Sequence, residues 1–323
     1  MHKIEYKYIN LYSSILHKMK VLAFDTETTG LPVSYNSPLT DLSKWPYVVQ
    51  LSFIVFDTLK KEILDYTDHI IKLDPDVLIT PESVSIHQIT MERSQMSGVP
   101  IKQALREFNA AMQEVDLIVG HNIQFDKNLL TVEFKRNKIK NSLYRDGHPV
   151  PEFCTMKQTV ELCKLPFVNK NNTTMSHYKW PTLGELHTCL FNANPRGTHN
   201  AIADVMICLR CYVYLQHKYD IAFDEEVKIV FRTLYAAYCL EGKALQNPPS
   251  NITLGGKAPQ QSKPQTNIER KPSSKAPIYI DTEDASPPLP PKVQVQPYYD
   301  EPKHIINEPS YTQYWTTHST YGE

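Results

Sequence analysis

Apolar residues in the first 244 positions follow two patterns. Short, nearly continuous apolar runs, several rich in β-branched or aromatic residues, read as buried strands at Lys20–Asp25 (KVLAFD), Tyr47–Asp57 (YVVQLSFIVFD) and Asp116–Gly120 (DLIVG). Glu62–Leu73 (EILDYTDHIIKL) reads as a further strand between the second and the last of these. Helical spacing appears in Ile101–Met112, where Leu105, Phe108 and Met112 share a face and Pro100 stands just before. Helices are also predicted from about Gln124 to Lys138 and over Thr182–Phe191, His199–His217 and Asp224–Glu241. The polar stretch Phe167–Lys179 (FVNKNNTTMSHYK) reads as a loop. Three early strands followed by strand–helix alternation predict an α/β domain with a mixed sheet.

Beyond Leu245 the pattern stops. Residues 1–244 hold 11 of the 24 prolines and the last 79 residues hold 13. That tail is also rich in Ser, Gln and Lys, and its sparse apolar residues cannot bury enough surface to offset the entropy of ordering it. The expected organisation is an N-terminal extension at 1–18, a folded domain at 19–244 and a disordered, Pro-rich tail at 245–323. Met19 stands immediately before the domain and is an alternative start. Within the tail, PPLPPK at 287–292 places Pro287, Pro290 and Lys292 as a PxxPxK ligand for an aromatic groove would, and also fits a plain spacer.

Charge and composition narrow the function classes. Lys and Arg number 34 against 35 Asp and Glu, which excludes binding by bulk positive charge but not a local basic groove. None of the 10 glycines falls in a GxGxxG or GxxxxGK[ST] pattern, so a dinucleotide fold or P-loop is not expected. Six cysteines (Cys154, Cys163, Cys189, Cys208, Cys211, Cys239) lie in apolar or helical sequence with no secretory signal before them, as reduced thiols of an intracellular, soluble protein would. No apolar run approaches the ~18 residues that span a bilayer, so no membrane partner is expected.

Acidic residues gather in three segments. In FDTETTG (24–30), Asp25 and Glu27 are two apart on a strand and face the same way, an arrangement that is repulsive unless a cation sits between them. In GHNIQFD (120–126) a buried strand ends and Asp126 falls near the start of a helix. In HNAIAD (199–204), His199 and Asp204 can share a site if His199 lies on the loop entering the helix. Each acid taken alone also fits a turn, a cap or a solvated strand end.

In order and spacing, these three motifs resemble those of the histidine-type DEDD (DEDDh) 3′→5′ exonucleases, the family that includes the proofreading (epsilon) subunit of bacterial DNA polymerase III. The third keeps H-x-A-x-x-D at His199, Ala201 and Asp204. Lesser matches are VVQLSFIVFD (48–57), ESVSIHQIT (82–90) and KWPTLGELH (179–187), and the resemblance covers roughly residues 20–217. It implies a ribonuclease H-like fold, a mixed five-stranded sheet flanked by helices. It also implies phosphodiester hydrolysis from the 3′ end of single-stranded or frayed nucleic acid, DNA favoured, with release of nucleoside 5′-monophosphates.

Two divalent ions about 3.5–4 Å apart suit that chemistry, and an all-oxygen ligand set suits Mg²⁺ or Mn²⁺. By resemblance, Asp25 bridges both ions, Glu27 and Asp204 complete the nucleophile-side site, and Asp126 serves the second ion. His199 takes the proton of the attacking water. Thr28, Thr29, Gly30 and Leu31 hold the 3′-terminal nucleotide, and His87 and Asn122 join the substrate-binding set, although His87, like His121, also reads as a structural hydrogen-bonder.

Gln88 departs from the family, standing where many relatives carry Gly, and so does Cys154, where relatives often have Asp. The run Lys135, Arg136, Lys138 and Lys140 reads as a solvated helix end, with a phosphate-gripping rim as the alternative. The CxxC at Cys208 and Cys211 reads as core thiols. Residues 1–244 hold 27 basic against 27 acidic residues, so modest, salt-sensitive affinity for nucleic acid is expected, with a polymerase or other protein partner reached through the tail. Two other readings stand beside the first: an RNA 3′-end-processing exonuclease of the same fold, and a catalytically silent nucleic-acid-binding or scaffold protein.

Overall fold

The computed structural model describes residues 19–168 and 174–240. The N-terminal extension, the Pro-rich tail and its PPLPPK motif lie outside the described residues. Five strands form the central sheet: β1 (Lys20–Thr28), β2 (Val48–Asp57), β3 (Glu62–Ile70), β4 (Leu117–Gly120) and β5 (Glu152–Cys154). Their order is β3-β2-β1-β4-β5, with β1, β2 and β3 antiparallel and β1, β4 and β5 parallel, which is the expected mixed sheet. The helices are α1 (Pro81–His87), α2 (Met91–Ser97), α3 (Ile101–Ala111), α4 (Ile123–Asn137), α5 (Thr155–Gln158), α6 (Val160–Cys163), α7 (Leu183–Phe191), α8 (Ala201–His217) and α9 (Ile229–Tyr235), the last running into a π-helical turn over Ala236–Leu240.

Alternation along β1 sorts its side chains onto two cores. Leu22 and Phe24 join Leu51, Phe53, Phe108, Leu130 and Phe134, with Phe108 edge-on to both Phe24 and Phe53. Val21 and Ala23 join Ile54, Phe56, Val119, Met206, Leu209 and Phe231 on the opposite face. Asp25 and Glu27 continue the second series, so the strand that is apolar from Val21 to Phe24 turns two carboxylates toward the α8 side at its C-terminal end.

The structure differs from the sequence expectations at particular elements. Residues 167–179 are not simply a loop: Pro166–Val168 pairs antiparallel with Thr174–Tyr178, and Phe167 stacks on His177. The hairpin closes on its own backbone bonds and one ring pair, which leaves little apolar alternation to read. The last helix begins at Ile229 rather than Asp224, because the Asp224 carboxylate accepts from Glu226 N and Lys61 Nζ and holds a turn there. Helices α1 and α2 are too short for apolar periodicity to announce them, although Thr80 and Thr90 cap them by accepting from Ser83 N and Arg93 N, and Pro81 starts α1. β3 ends at Ile70, and Ile71 makes a separate bridge to Val99.

In the basic run Lys135, Lys138 and Lys140 are exposed, as a solvated helix end requires, and Arg136 alone differs. Arg136 is largely buried and donates to the carbonyls of Leu42, Trp45 and Pro46 and to Glu133, while its guanidinium lies 4.1 Å from the Tyr47 ring centroid. One side chain thus fastens the segment between β1 and β2 to α4. Glu133, almost fully buried, also accepts from Val48 N and Asn137 Nδ2. Removing Arg136 would strand that carboxylate without its cation. The Arg136→Met variant should lose about 3 kcal/mol of unfolding free energy in urea denaturation. A loss below about 0.5 kcal/mol would show that the clamp contributes little.

Candidate active site

The carboxylates converge because three element ends meet at one edge of the sheet. β1 brings Asp25 and Glu27, and the first turn of α8 brings Asp204. One ligand oxygen from each of these three acids lies within 4.8 Å of the others. Asp126, in the first turn of α4, arrives from the other side of β1 and is 3% exposed. Its Oδ1 accepts from Thr26 N at 3.1 Å and Thr26 Oγ1 at 2.6 Å, so the residue between the two β1 acids fixes the third carboxylate's height against the strand. Sequence reasoning passed over Thr26, although alternation places it on the face opposite Asp25 and Glu27.

Electrostatics marks these four groups as a strained set. Burial, followed by repulsion from Asp126, Asp204 and Glu27, lifts Asp25 well above the usual carboxylate range. Glu27 is lifted in the same way by burial and by Asp204 and Asp126. Burial raises Asp126 to about 7 against the Thr26 bonds that favour its charged form, and raises Asp204 to about 7 with a further push from Asp126. Such a set favours either protons or cations. Hard oxygen donors from three carboxylates suit divalent metal ions, and the residues present fit that group.

His199 lies on the entry to α8, with φ of +66°, a left-handed conformation uncommon for a residue with a side chain. Its backbone N donates to Asp204 Oδ2 at 2.9 Å. The side chain stands exposed at the rim, and the protein packed beside it desolvates the ring enough to lower its pKa, which favours the neutral imidazole.

The other anticipated residues separate into inward and outward groups. Thr28 Oγ1 donates to Gly30 O and Thr29 Oγ1 accepts from Tyr47 N, so both hydroxyls are engaged inside the protein. Thr80 N donates to Thr29 O, which ties the same turn to the start of α1. Gly30 is half-buried and the Leu31 side chain is 55% exposed, leaving these two as the open edge of the turn. His87 is buried: Nδ1 accepts from Ile89 N, so Nε2 carries the proton and donates to Thr28 O. Neither ring nitrogen is free for a nucleotide, and the ring acts on the site by holding the backbone of Thr28.

His121 is likewise internal, with Nε2 donating to Pro181 O and Nδ1 2.9 Å from Thr155 Oγ1. Asn122 opens α4 with φ of +61°, and its Oδ1 is buried without a hydrogen-bond partner. Gln88 has φ of +59° at the end of α1. The left-handed backbone there is a physical reason for glycine at this point in relatives. Cys154, Cys208 and Cys211 are buried, as core thiols.

The exonuclease (RNase_T) family model matches residues 22–212, more than half of the chain, and the chain belongs to this family. Its fold is ribonuclease H-like, as that family implies. No curated protein matches it. Among solved structures, exonuclease I from Methylocaldum szegediense is 18% identical, covering 66% of this chain and 43% of its own, with a TM-score of 0.45. E. coli exonuclease I with a dA16 oligonucleotide is 18% identical, covering 68% and 43%, with a TM-score of 0.45. The same enzyme with a dT13 oligonucleotide is 17% identical, covering 68% and 44%, with a TM-score of 0.47. The matched region thus spans less than half the length of those proteins. No helix among the described residues is long and apolar enough to cross a membrane.

The raised carboxylates make a stability prediction whose sign follows from linkage. Asp126 and Asp204 hold protons in the folded chain up to about 7, whereas the ordinary value is 3.8. Between those values the folded state binds more protons than the unfolded one, so stability falls as pH rises. In EDTA, Tm should drop between pH 4 and pH 7 more steeply for the wild type than for Asp204→Asn, and a divalent cation at pH 7.5 should restore it. Equal slopes for the two proteins would refute the assignment.

Proposed function

We propose that this chain is a DEDD-type 3′→5′ exonuclease. It hydrolyses the terminal phosphodiester of single-stranded or frayed nucleic acid, DNA in preference to RNA, and releases nucleoside 5′-monophosphates. The observation that carries the reading is the meeting of Asp25, Glu27 and Asp204 within 4.8 Å, with Asp126 anchored to Thr26 beside them. Asp25, Glu27 and Asp204 would hold two Mg²⁺ or Mn²⁺ ions together with Asp126. Ions of this kind activate a water and stabilise the leaving 3′ oxygen.

The chain's own residues supply the rest. His199, neutral because the protein depresses its pKa, accepts a proton from the attacking water and can return it to solvent from its exposed position. The turn Thr28–Leu31 is fixed at three points, by His87, Tyr47 and Thr80, and offers Gly30 and the exposed Leu31 side chain to the 3′-terminal nucleotide.

The test uses single-stranded DNA and RNA oligomers of matched sequence, labelled at the 5′ end, with Mg²⁺, Mn²⁺ or EDTA. A metal-dependent ladder that shortens from the 3′ end, faster on DNA, is expected. Asp25→Ala should abolish it, and His199→Ala should lower kcat by about 10²- to 10⁴-fold. Faster shortening of RNA would move the reading to an RNA-processing enzyme. Absence of hydrolysis with every metal would refute it.

A further inference from the structure

A polar chain runs from the outer strand of the sheet to the loop that carries His199. Gln50 on β2 is 2% exposed and pairs in register with Glu27, so the two side chains lie on the same face of the sheet. Its Nε2 donates to Asp68 Oδ1 on β3 at 2.7 Å, and its Oε1 accepts from Ala201 N at 3.3 Å. Ser52, fully buried and in register with both Asp25 and Asp68, donates its hydroxyl to the same Asp68 oxygen at 2.7 Å.

The orientation of the Gln50 amide is not free. An ionised carboxylate only accepts hydrogen bonds, so the Gln50 NH₂ must face Asp68 and its oxygen must face α8. A flipped amide would set oxygen against carboxylate at one end and NH₂ against a backbone N–H at the other.

The recipient is a helix terminus that its own cap residue leaves unserved. The first N–H groups of a helix have no partner within it. Asn200 occupies the cap position of α8, yet its side chain makes no capping bond and its Oδ1 is buried and unpartnered. Gln50 therefore supplies the acceptor for Ala201 N, while Asp204 supplies the one for His199 N. The backbone is held at 199 and at 201, on either side of Asn200, and His199 keeps its left-handed φ between these ties. We infer that Gln50, oriented by Asp68 and Ser52, is a positioning residue for His199, acting through the backbone of the α8 entry. This rests on the reading of His199 as the proton acceptor.

The experiment is a double-mutant cycle in the full-length protein, read as single-turnover hydrolysis of a 5′-labelled oligomer. Gln50→Met should lower kcat roughly 10- to 100-fold with KM nearly unchanged, because a small displacement of a catalytic group is enough for that loss. In the His199→Ala background the same substitution should change kcat less than twofold. Asp68→Ala should reproduce the loss, and Asp68→Asn, which keeps an acceptor for the Gln50 NH₂, should recover most of it. Should Gln50→Met fail to fold, the Asp68 pair measured in both backgrounds decides the same question.

Equal losses with and without His199 would overturn the inference and place Gln50's effect on the carboxylates or the fold. An unchanged kcat in Gln50→Met would overturn it as well. Wild-type activity in His199→Ala would instead overturn the proton-acceptor reading, and this one with it.

Discussion

Four carboxylates crowded together where one strand end meets two helix starts, Asp126 buried and the other three half-buried, are the constraint around which the rest of the domain is arranged. Asp25, Glu27, Asp126 and Asp204 each carry a raised pKa because burial and mutual repulsion disfavour their charges together. An arrangement of that kind cannot come from local preference, since each acid by itself would be better solvated elsewhere. It survives because strongly apolar structure encloses it. β2 is buried along its whole length, and the two faces of β1 pack into separate cores. The apolar burial that stabilises the fold is what makes the acidic cluster tolerable in it and ready for divalent cations.

The supporting contacts show how such a cluster is kept in place. Thr26 holds Asp126 from between the two β1 acids. His87, with both nitrogens bound inside the protein, holds Thr28, and Arg136 holds the segment before β2 through three carbonyls. In these three places a residue near the acidic cluster is held by a neutral or paired group with its own hydrogen bonds made. A second knot lies farther out, where Arg210 of α8 grips Asp220 in bidentate fashion and meets His187 and Tyr235, joining α7, α8 and α9. That knot steadies the helix from which Asp204 projects.

Much of this was readable from the chain alone, and for identifiable reasons. Asp25 and Glu27 stand two apart, so once the strand that was expected to end at Asp25 runs on to Thr28, their shared direction follows from period two. HNAIAD stands at the head of a long apolar helix, which was expected from His199; the helix begins at Ala201, so His199 lies on the entry loop that a site shared with Asp204 required. Where apolar periodicity was weak, the reading fell short. The three-residue β5 is too short to show a pattern, and the hairpin at 166–178 closes through backbone bonds in polar sequence. Arg136 looked solvated because charge runs on helices usually are, and only the neighbouring carbonyls show otherwise.

What the sequence by itself determined is a set of local features: three acidic motifs in order, a histidine at the head of the third, an α/β alternation and a likeness to exonucleases, of which the matching model shows membership in the exonuclease family. These are decided by residue type and spacing along a few consecutive positions. Only the tertiary structure decided which atoms meet. That Gln50 reaches across to Ala201, that Thr26 steadies Asp126, and that the Thr29 hydroxyl turns inward to Tyr47 N depend on contacts between different elements of the chain. Such contacts are set by how sheets and helices pack, and no periodicity within a single segment encodes them.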